Sequence, residues 1–267
     1  EAQMPFTTDF LRKSAFAEEA VAPSGRTFPS WYSILTGLFP PSHGARFNLY
    51  PLDELGTDLQ FASGLGIADY HRIYAIDEKR FSAIGLRHGF DNVVGSPHRA
   101  ADFLIPTLSD APLHNLIVNT IIGRYFFPFS YSNRAAYHTY QPDTFVREIL
   151  NAVSESENEN IFLAAHFELP HYPFIWSDAP TKEKYSKWEL YLNALGRTDR
   201  QLASVFKGLD ELNALENAIV ILLGDHGEGF SSIDGTSSFH NSDTGQIHRF
   251  QPWHGTDVLS PKQYLIP

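Results

Sequence analysis

The sequence predicts a layered α/β fold, a mostly parallel sheet flanked by helices, on three observations. Short apolar runs recur along the chain, and amphipathic helical stretches lie between them. Two of the runs, Ile161 to Phe167 and Ala218 to Leu223, lack the polar alternation of a strand with one wet face, as strands covered on both faces do. No internal repeat or low-complexity linker interrupts the pattern, so residues 1–267 read as a single domain.

The elements follow in order. The segment around Asp9 is helical, with Phe10, Leu11 and Phe16 as its apolar positions. A helix starts at or just after Thr27, tolerates Pro29 in its first turn and turns Trp31, Ile34 and Leu35 inward. Arg72 to Ile76 and Asn92 to Val94 are strands. Asp143 is the expected N-cap of a helix whose stripe is Phe145, Ile149, Leu150 and Val153, ended by the polar stretch Ser154 to Asn160. The strand Ile161 to Phe167 comes next. A helix or helix pair then carries Trp188, Tyr191, Leu192, Leu195, Leu202, Val205, Phe206 and Leu209, with Gly196 as the interruption. Ala218 to Leu223 is the last and most hydrophobic strand. The stretch from Glu228 to Trp253, rich in Gly, Ser, Asp and His, is a long loop at the carboxyl edge of the sheet, where ligands gather in such folds.

Composition narrows the function classes. The 20 Lys and Arg against 31 Asp and Glu give a net charge of −11, and no basic stretch exists to release counterions from a nucleic acid or to hold an anionic membrane nonspecifically. The longest aliphatic run, Ala218 to Leu223, is far shorter than the ~20 residues that span a bilayer. The absence of cysteine removes disulfides, thiolate metal sites and Cys nucleophiles together. A Gly-x-Ser-x-Gly elbow and a three-glycine dinucleotide fingerprint are also missing.

Two segments carry chemistry. Gly224-Asp225-His226-Gly227 sets a carboxylate and an imidazole directly after the most hydrophobic run, with a glycine on either side for a sharp turn. Both side chains ligate divalent cations, although an Asp-His pair taken alone also makes an ordinary turn. Thr27 stands at the positive end of its helix, where backbone N–H groups and the dipole favour phosphate or sulfate. A plain capping threonine has the same position. His166 reads as a core histidine on an apolar strand, Asp77 and Glu78 as capping residues, and His240 and His248 as loop residues within reach of the site.

Together these segments resemble the alkaline phosphatase superfamily, in particular its sulfatase-like branch. Sulfatases carry a Cys or Ser nucleophile in Cys-x-Pro-x-Arg, a Thr-Gly pair nine and ten residues later, then a Pro and a His-Gly pair. Thr36-Gly37 and His43-Gly44 set the register, which puts Thr27 on the nucleophile and Pro29 on the motif proline. Asp225-His226-Gly227-Glu228 resembles the metal motif, Leu169-Pro170-His171-Tyr172-Pro173-Phe174 the Pro-His-x-Pro-Phe segment, and His254-Gly255-Thr256 the late His-Gly motif.

The resemblance implies a metal-dependent hydrolase or transferase of esters, with Thr27, His171 and His254 as catalytic residues. Thr27, Asp225 and His226 are the implied metal ligands, and Ser30, Arg26 and Arg46 bind the substrate anion. A divalent cation is implied, with Zn or Mn favoured by the imidazole and Ca or Mg compatible with the oxygen donors. The substrate is a small-molecule, lipid or glycan ester, and the cell envelope or periplasm is favoured over the cytoplasm. Threonine cannot become formylglycine, which is made from Cys or Ser, so Thr27 shifts the expectation from sulfate to phosphate esters. It resembles the threonine of nucleotide pyrophosphatase/phosphodiesterases, phosphoethanolamine transferases and lipoteichoic acid synthases. Trp31 stands where sulfatases have the motif arginine. Only 26 residues precede Thr27 and none forms the family's first strand with its acidic ligand, so the chain reads as truncated at both ends. A sulfate-ester hydrolase and a noncatalytic binding protein of the same fold are the competing readings.

Overall fold

The computed structural model describes residues 3–46, 55, 69–77, 84–95, 117, 120–126, 142–156, 160–171, 174, 185–229 and 264–266. The chain divides into two compact units, residues 1–61, 169–200 and 219–267 in one, and 62–168 and 201–218 in the other.

The second unit holds the parallel sheet. Strands β2 (Tyr70–Ile76), β3 (Asn92–Val94) and β4 (Asn160–His166) lie in the order β3-β2-β4. Both pairings are parallel, with Ile73 opposite Asn92 and Leu163. Parallel strands need long crossovers, and the predicted runs were spaced accordingly. Helix α5 (Pro142–Glu155) covers one face, burying Phe145, Ile149, Ala152 and Val153 against Ile73, Ala75 and Val94. Tyr74 points to the opposite face, its ring 5.1 Å from Phe90, which is 6.3 Å from Phe162. Burial on both faces is why these strands read as continuous apolar runs. Arg72 fixes the entry to β3 through paired 2.8 Å bonds from Nε and Nη2 to the Asp91 carboxylate. α5 starts at Pro142, so Asp143 lies in the first turn, not at the cap.

The first unit carries α1 (Pro5–Arg12), the two-residue strand β1 (Ala20–Val21), α2 (Thr27–Thr36), the short α3 (Pro40–His43) and β5 (Leu265–Ile266). β1 and β5 pair antiparallel, Val21 opposite Leu265. Met4 offers no side-chain cap to α1. Asp199 supplies it from a distant part of the chain, accepting from Phe6 N (2.9 Å), Thr7 N (2.7 Å) and Thr7 Oγ1 (2.7 Å). α2 buries Phe28, Trp31, Tyr32 and Leu35, whereas Ile34, expected inside, is exposed.

Between Ile121–Phe126, which forms α4, and the chain's later part lies α6 (Lys187–Glu211), a single uninterrupted helix. Gly196 does not break it. A Cβ there would meet the Gln3 carbonyl oxygen at 3.1 Å, so the glycine admits a backbone and is not a stop signal. Ser186 and Glu189 open the helix as a capping box, with Ser186 N donating to Glu189 Oε2 at 2.7 Å and Glu189 N to Ser186 Oγ at 3.2 Å. Among the described residues no helix is long and apolar enough to cross a membrane.

The expectation for Ala218 to Leu223 fails: these residues are not in a strand, and Ile219 and Ile221 are 92% and 75% exposed. Apolarity measures the tendency to be covered but does not supply the neighbouring strand whose N–H and C=O groups would complete a ladder. No such partner lies among the described residues.

Candidate active site

Thr27 is the first residue of α2. Arg26 precedes it in extended conformation (φ −142°, ψ 139°) and its carbonyl accepts the helix's opening bond from Ser30 N at 3.1 Å. Pro29 has no N–H to leave unsatisfied in this first turn. The Thr27 side chain does not cap the helix, so its hydroxyl is free to point toward the loop after residue 223, where Oγ1 lies 3.3 Å from His226 Nε2. Thr27 is 2% exposed, sheltered from bulk water.

The histidine's far nitrogen settles the direction of that contact. His226 Nδ1 is 3.0 Å from the Gly227 carbonyl, which can only accept, so in the neutral ring Nδ1 carries the proton and Nε2 presents its lone pair to Thr27. Asp225 turns back on the same loop, accepting from His226 N at 2.9 Å through Oδ1, while Oδ2 lies 3.5 Å from His226 Nε2. The next acid, Glu228, places its negative charge near Tyr191, whose phenol is pushed up first by burial and then by that charge.

A second hydroxyl–imidazole pair on α2 is wired the other way. Ser33 Oγ is 2.8 Å from His43 Nε2, but His43 Nδ1 accepts from Ala45 N at 3.1 Å, so Nε2–H donates to the serine. Ser33 is therefore held as an acceptor, with burial pushing the His43 pKa down and keeping the ring neutral.

β5 and the residue before it lie beside both arms of the site. Tyr264 O accepts from Ala22 N at 2.6 Å, five residues before Thr27, and the Ile266 side chain lies 3.6 Å from where a Cβ on Gly224 would be. Sequence reasoning missed this strand, whose only signal was the apolar pair Leu265-Ile266 near the chain's end.

The structure thus brings Thr27, Asp225 and His226 together. Ser30 is fully buried and donates its hydroxyl to Ser24 O at 2.8 Å, which occupies the proton it was expected to give a substrate. Arg26 is half-buried beside Thr27 in sequence, and Arg46 is exposed after α3. His171 is half-buried, its carbonyl accepting from Phe174 N at 2.9 Å. His254, His240, His248 and most of the loop from Glu228 to Trp253 lie outside the described residues. Trp31, at the position of the sulfatase arginine, is buried and contributes packing, not charge. His166 forms a 3.7 Å contact to Glu168, and Asp77 accepts from Glu168 N, so both serve the end of β4.

The donors fit a divalent cation in kind: a carboxylate oxygen, an imidazole nitrogen and a hydroxyl. Among the described residues no group of three His, Asp or Glu side chains could hold a metal ion.

The sulfatase family profile matches residues 2–256. No curated protein matches the sequence. Among solved structures, Ps i-CgsB superimposes with a TM-score of 0.61 at 18% identity, covering 99% of this chain and 59% of its own. Its complex with k-i-k-neocarrahexaose gives 0.60 at 18% identity, over 94% of this chain and 56% of that one. The lipoteichoic acid synthase LtaP from Listeria monocytogenes gives 0.51 at 14% identity, over 99% and 58%. The chain therefore spans less than two thirds of the length of these structures. With the profile running over nearly all its residues, and with the parallel α/β sheet the sequence predicts, the chain belongs to the sulfatase family, within the alkaline phosphatase superfamily.

Proposed function

We propose that this protein is a sulfatase-like hydrolase or transferase that acts on phosphate esters through Thr27. The observation that carries this reading is the Thr27 hydroxyl at the N-terminus of α2, 3.3 Å from a His226 nitrogen whose lone pair faces it. Members of this family generally work with a divalent ion. Bound between Asp225, His226 and Thr27, such an ion would lower the hydroxyl's pKa and neutralise charge on the ester's nonbridging oxygens.

The chain's own residues supply the remaining steps. The first-turn N–H groups of α2 and the positive end of its dipole orient the phosphoryl group beside Oγ1. Thr27 Oγ1 gives up its proton to water and forms a bond to phosphorus as the bond to the leaving oxygen breaks, giving a phospho-threonine and a departing alkoxide. His171 or His254 protonates that oxygen. Water, or an acceptor alcohol in a transferase, then attacks phosphorus and returns the threonine hydroxyl. The natural substrate is a small-molecule, lipid or glycan ester, consistent with a location in the cell envelope.

The test compares the zinc- or manganese-loaded protein on bis-p-nitrophenyl phosphate, p-nitrophenyl phosphate and p-nitrophenyl sulfate. Phosphate turnover faster than sulfate turnover is expected, with at least a 10³-fold loss in Thr27→Ala. Sulfate hydrolysis that outpaces both phosphates would favour the sulfatase reading, and activity surviving Thr27→Ala would remove the nucleophile. Inertness of the intact protein toward all three would favour the noncatalytic one.

A further inference from the structure

Phe174 is held in a backbone conformation that its side chain opposes. Its φ is 62°, in the left-handed region, where Asn213 and Asn217 are the other non-glycine residues among those described. Asparagine tolerates that region through its short polar side chain, whereas a bulky aromatic residue there is an outlier. Such a residue persists only where its surroundings over-determine it, and such residues gather at functional sites.

Two attachments fix Phe174. Its ring is fully buried and packs with Leu190 and Tyr191 in the opening turns of α6. It meets the Tyr191 ring close to edge-on at 5.4 Å, and Trp188 lies 5.6 Å from the same tyrosine. The second attachment is the backbone: Phe174 N donates to the His171 carbonyl at 2.9 Å and closes a turn from the histidine to the phenylalanine. Ring burial alone is compatible with an ordinary φ. Holding the ring against α6 and the amide against His171 at the same time draws the backbone into the left-handed region. Leu169, two residues before His171, is 1% exposed, so buried apolar anchors flank the half-buried histidine on both sides.

Tyr191 also feels the loop that bears Asp225 and His226. Glu228, two residues past His226, is close enough for its charge to push the phenol's pKa up further after burial has raised it. One aromatic residue of α6 thus adjoins both the His171 turn and the loop of the proposed metal ligands.

We infer that Phe174 is a positioning residue for His171: its ring, seated on Tyr191, and its strained backbone hold the turn that carries the imidazole, so Phe174 acts on catalysis through His171 alone. This rests on the proposed reading of a histidine as the acid that protonates the leaving oxygen, and it assigns that proton to His171 over His254.

A general acid matters more as the leaving group becomes a weaker acid. The zinc- or manganese-loaded protein is therefore compared on p-nitrophenyl phosphate and on phenyl phosphate, whose phenol is much the weaker acid. Phe174→Gly removes the ring and relieves the left-handed strain. It should lose roughly tenfold or more in kcat on phenyl phosphate and only about twofold on p-nitrophenyl phosphate, with KM little changed. His171→Gln should show the same split, and the double variant should lose no more than His171→Gln alone, since nothing is left to position. A second readout needs no turnover. In protein labelled with 13C-histidine, the ring signal missing from His171→Gln identifies His171. Phe174→Gly should move that signal and leave in place the signal of His88, buried in the other unit. Where Phe174→Gly does not fold, Tyr191→Leu, which removes the ring's partner and leaves the turn residues intact, should move the same signal. An unmoved His171 signal, equal losses on the two phosphates, or losses that multiply in the double variant would overturn the inference. Turnover surviving Thr27→Ala would instead remove the nucleophile, and the His171 signal would still decide whether Phe174 holds the imidazole.

Discussion

Two hydroxyls on one helix, each beside an imidazole, differ only in which partner holds the proton. At Thr27 the histidine accepts, and at Ser33 it donates. Thr27→Val, which keeps the shape, should therefore abolish formation of a phosphorylated protein in a rapid-quench assay. Ser33→Ala should leave turnover within about twofold and cost ~1 kcal/mol of stability in urea unfolding, the worth of one neutral hydrogen bond. A third histidine acts on stability alone. His88 is buried, accepts from Gly85 N at 3.0 Å through Nδ1, and has its pKa pushed down to about 4, mainly by burial and then by the charge of Arg87. Its unfolded value near 6.5 lies above the folded one, so the unfolded chain binds the extra proton between the two. Stability is then full above pH 6.5 and lost as pH falls toward 4, by on the order of 3 kcal/mol. Urea unfolding at pH 7, 5.5 and 4 checks this, and His88→Gln should flatten that part of the dependence. The motif residues Thr27, Asp225 and His226 were legible from spacing. The direction of their protons was not, because it depends on what lies behind each imidazole.

Elements that pack on both faces announced themselves. β2, β4 and α5 were found within one or two residues because burial on both sheet faces and a single helical stripe leave continuous and periodic apolar patterns respectively. Ala218 to Leu223 has the same apolar content without the partner, so the same pattern misled. The cap of α1 was invisible for a different reason: Asp199 is 192 residues from Thr7, and no local window contains both. Asp199→Ala removes three accepted bonds from a residue only 1% exposed and should cost about 2 kcal/mol. Trypsin would then cleave at Arg12 and Lys13 well before the rest of the fold is digested. Gly208 marks a close approach of α6 to α5, since a Cβ there would fall 2.2 Å from Leu150 Cδ1. Gly208→Ala gains helix propensity of ~1 kcal/mol yet should be net destabilising through overpacking of ~1–3 kcal/mol. Adding Leu150→Ala should restore part of that loss, a coupling that a double-mutant cycle reads directly.

For the whole molecule, the pairing of Val21 with Leu265 sets the order of events. A ribosome making ~5–20 residues per second exposes Ala20 and Val21 roughly 10–50 s before their partners exist. Until then the peptide leading from Ala22 into Thr27 lacks the Tyr264 carbonyl that later holds it. Deleting residues 264–267 should consequently lower the melting temperature by several degrees and reduce phosphorylation of Thr27 far more than it disturbs the parallel sheet, which circular dichroism and activity can separate. The peptide entering the Thr27 helix thus waits for a partner made after His226, so a nascent polypeptide holds both the hydroxyl and its imidazole before the pairing beside them can close.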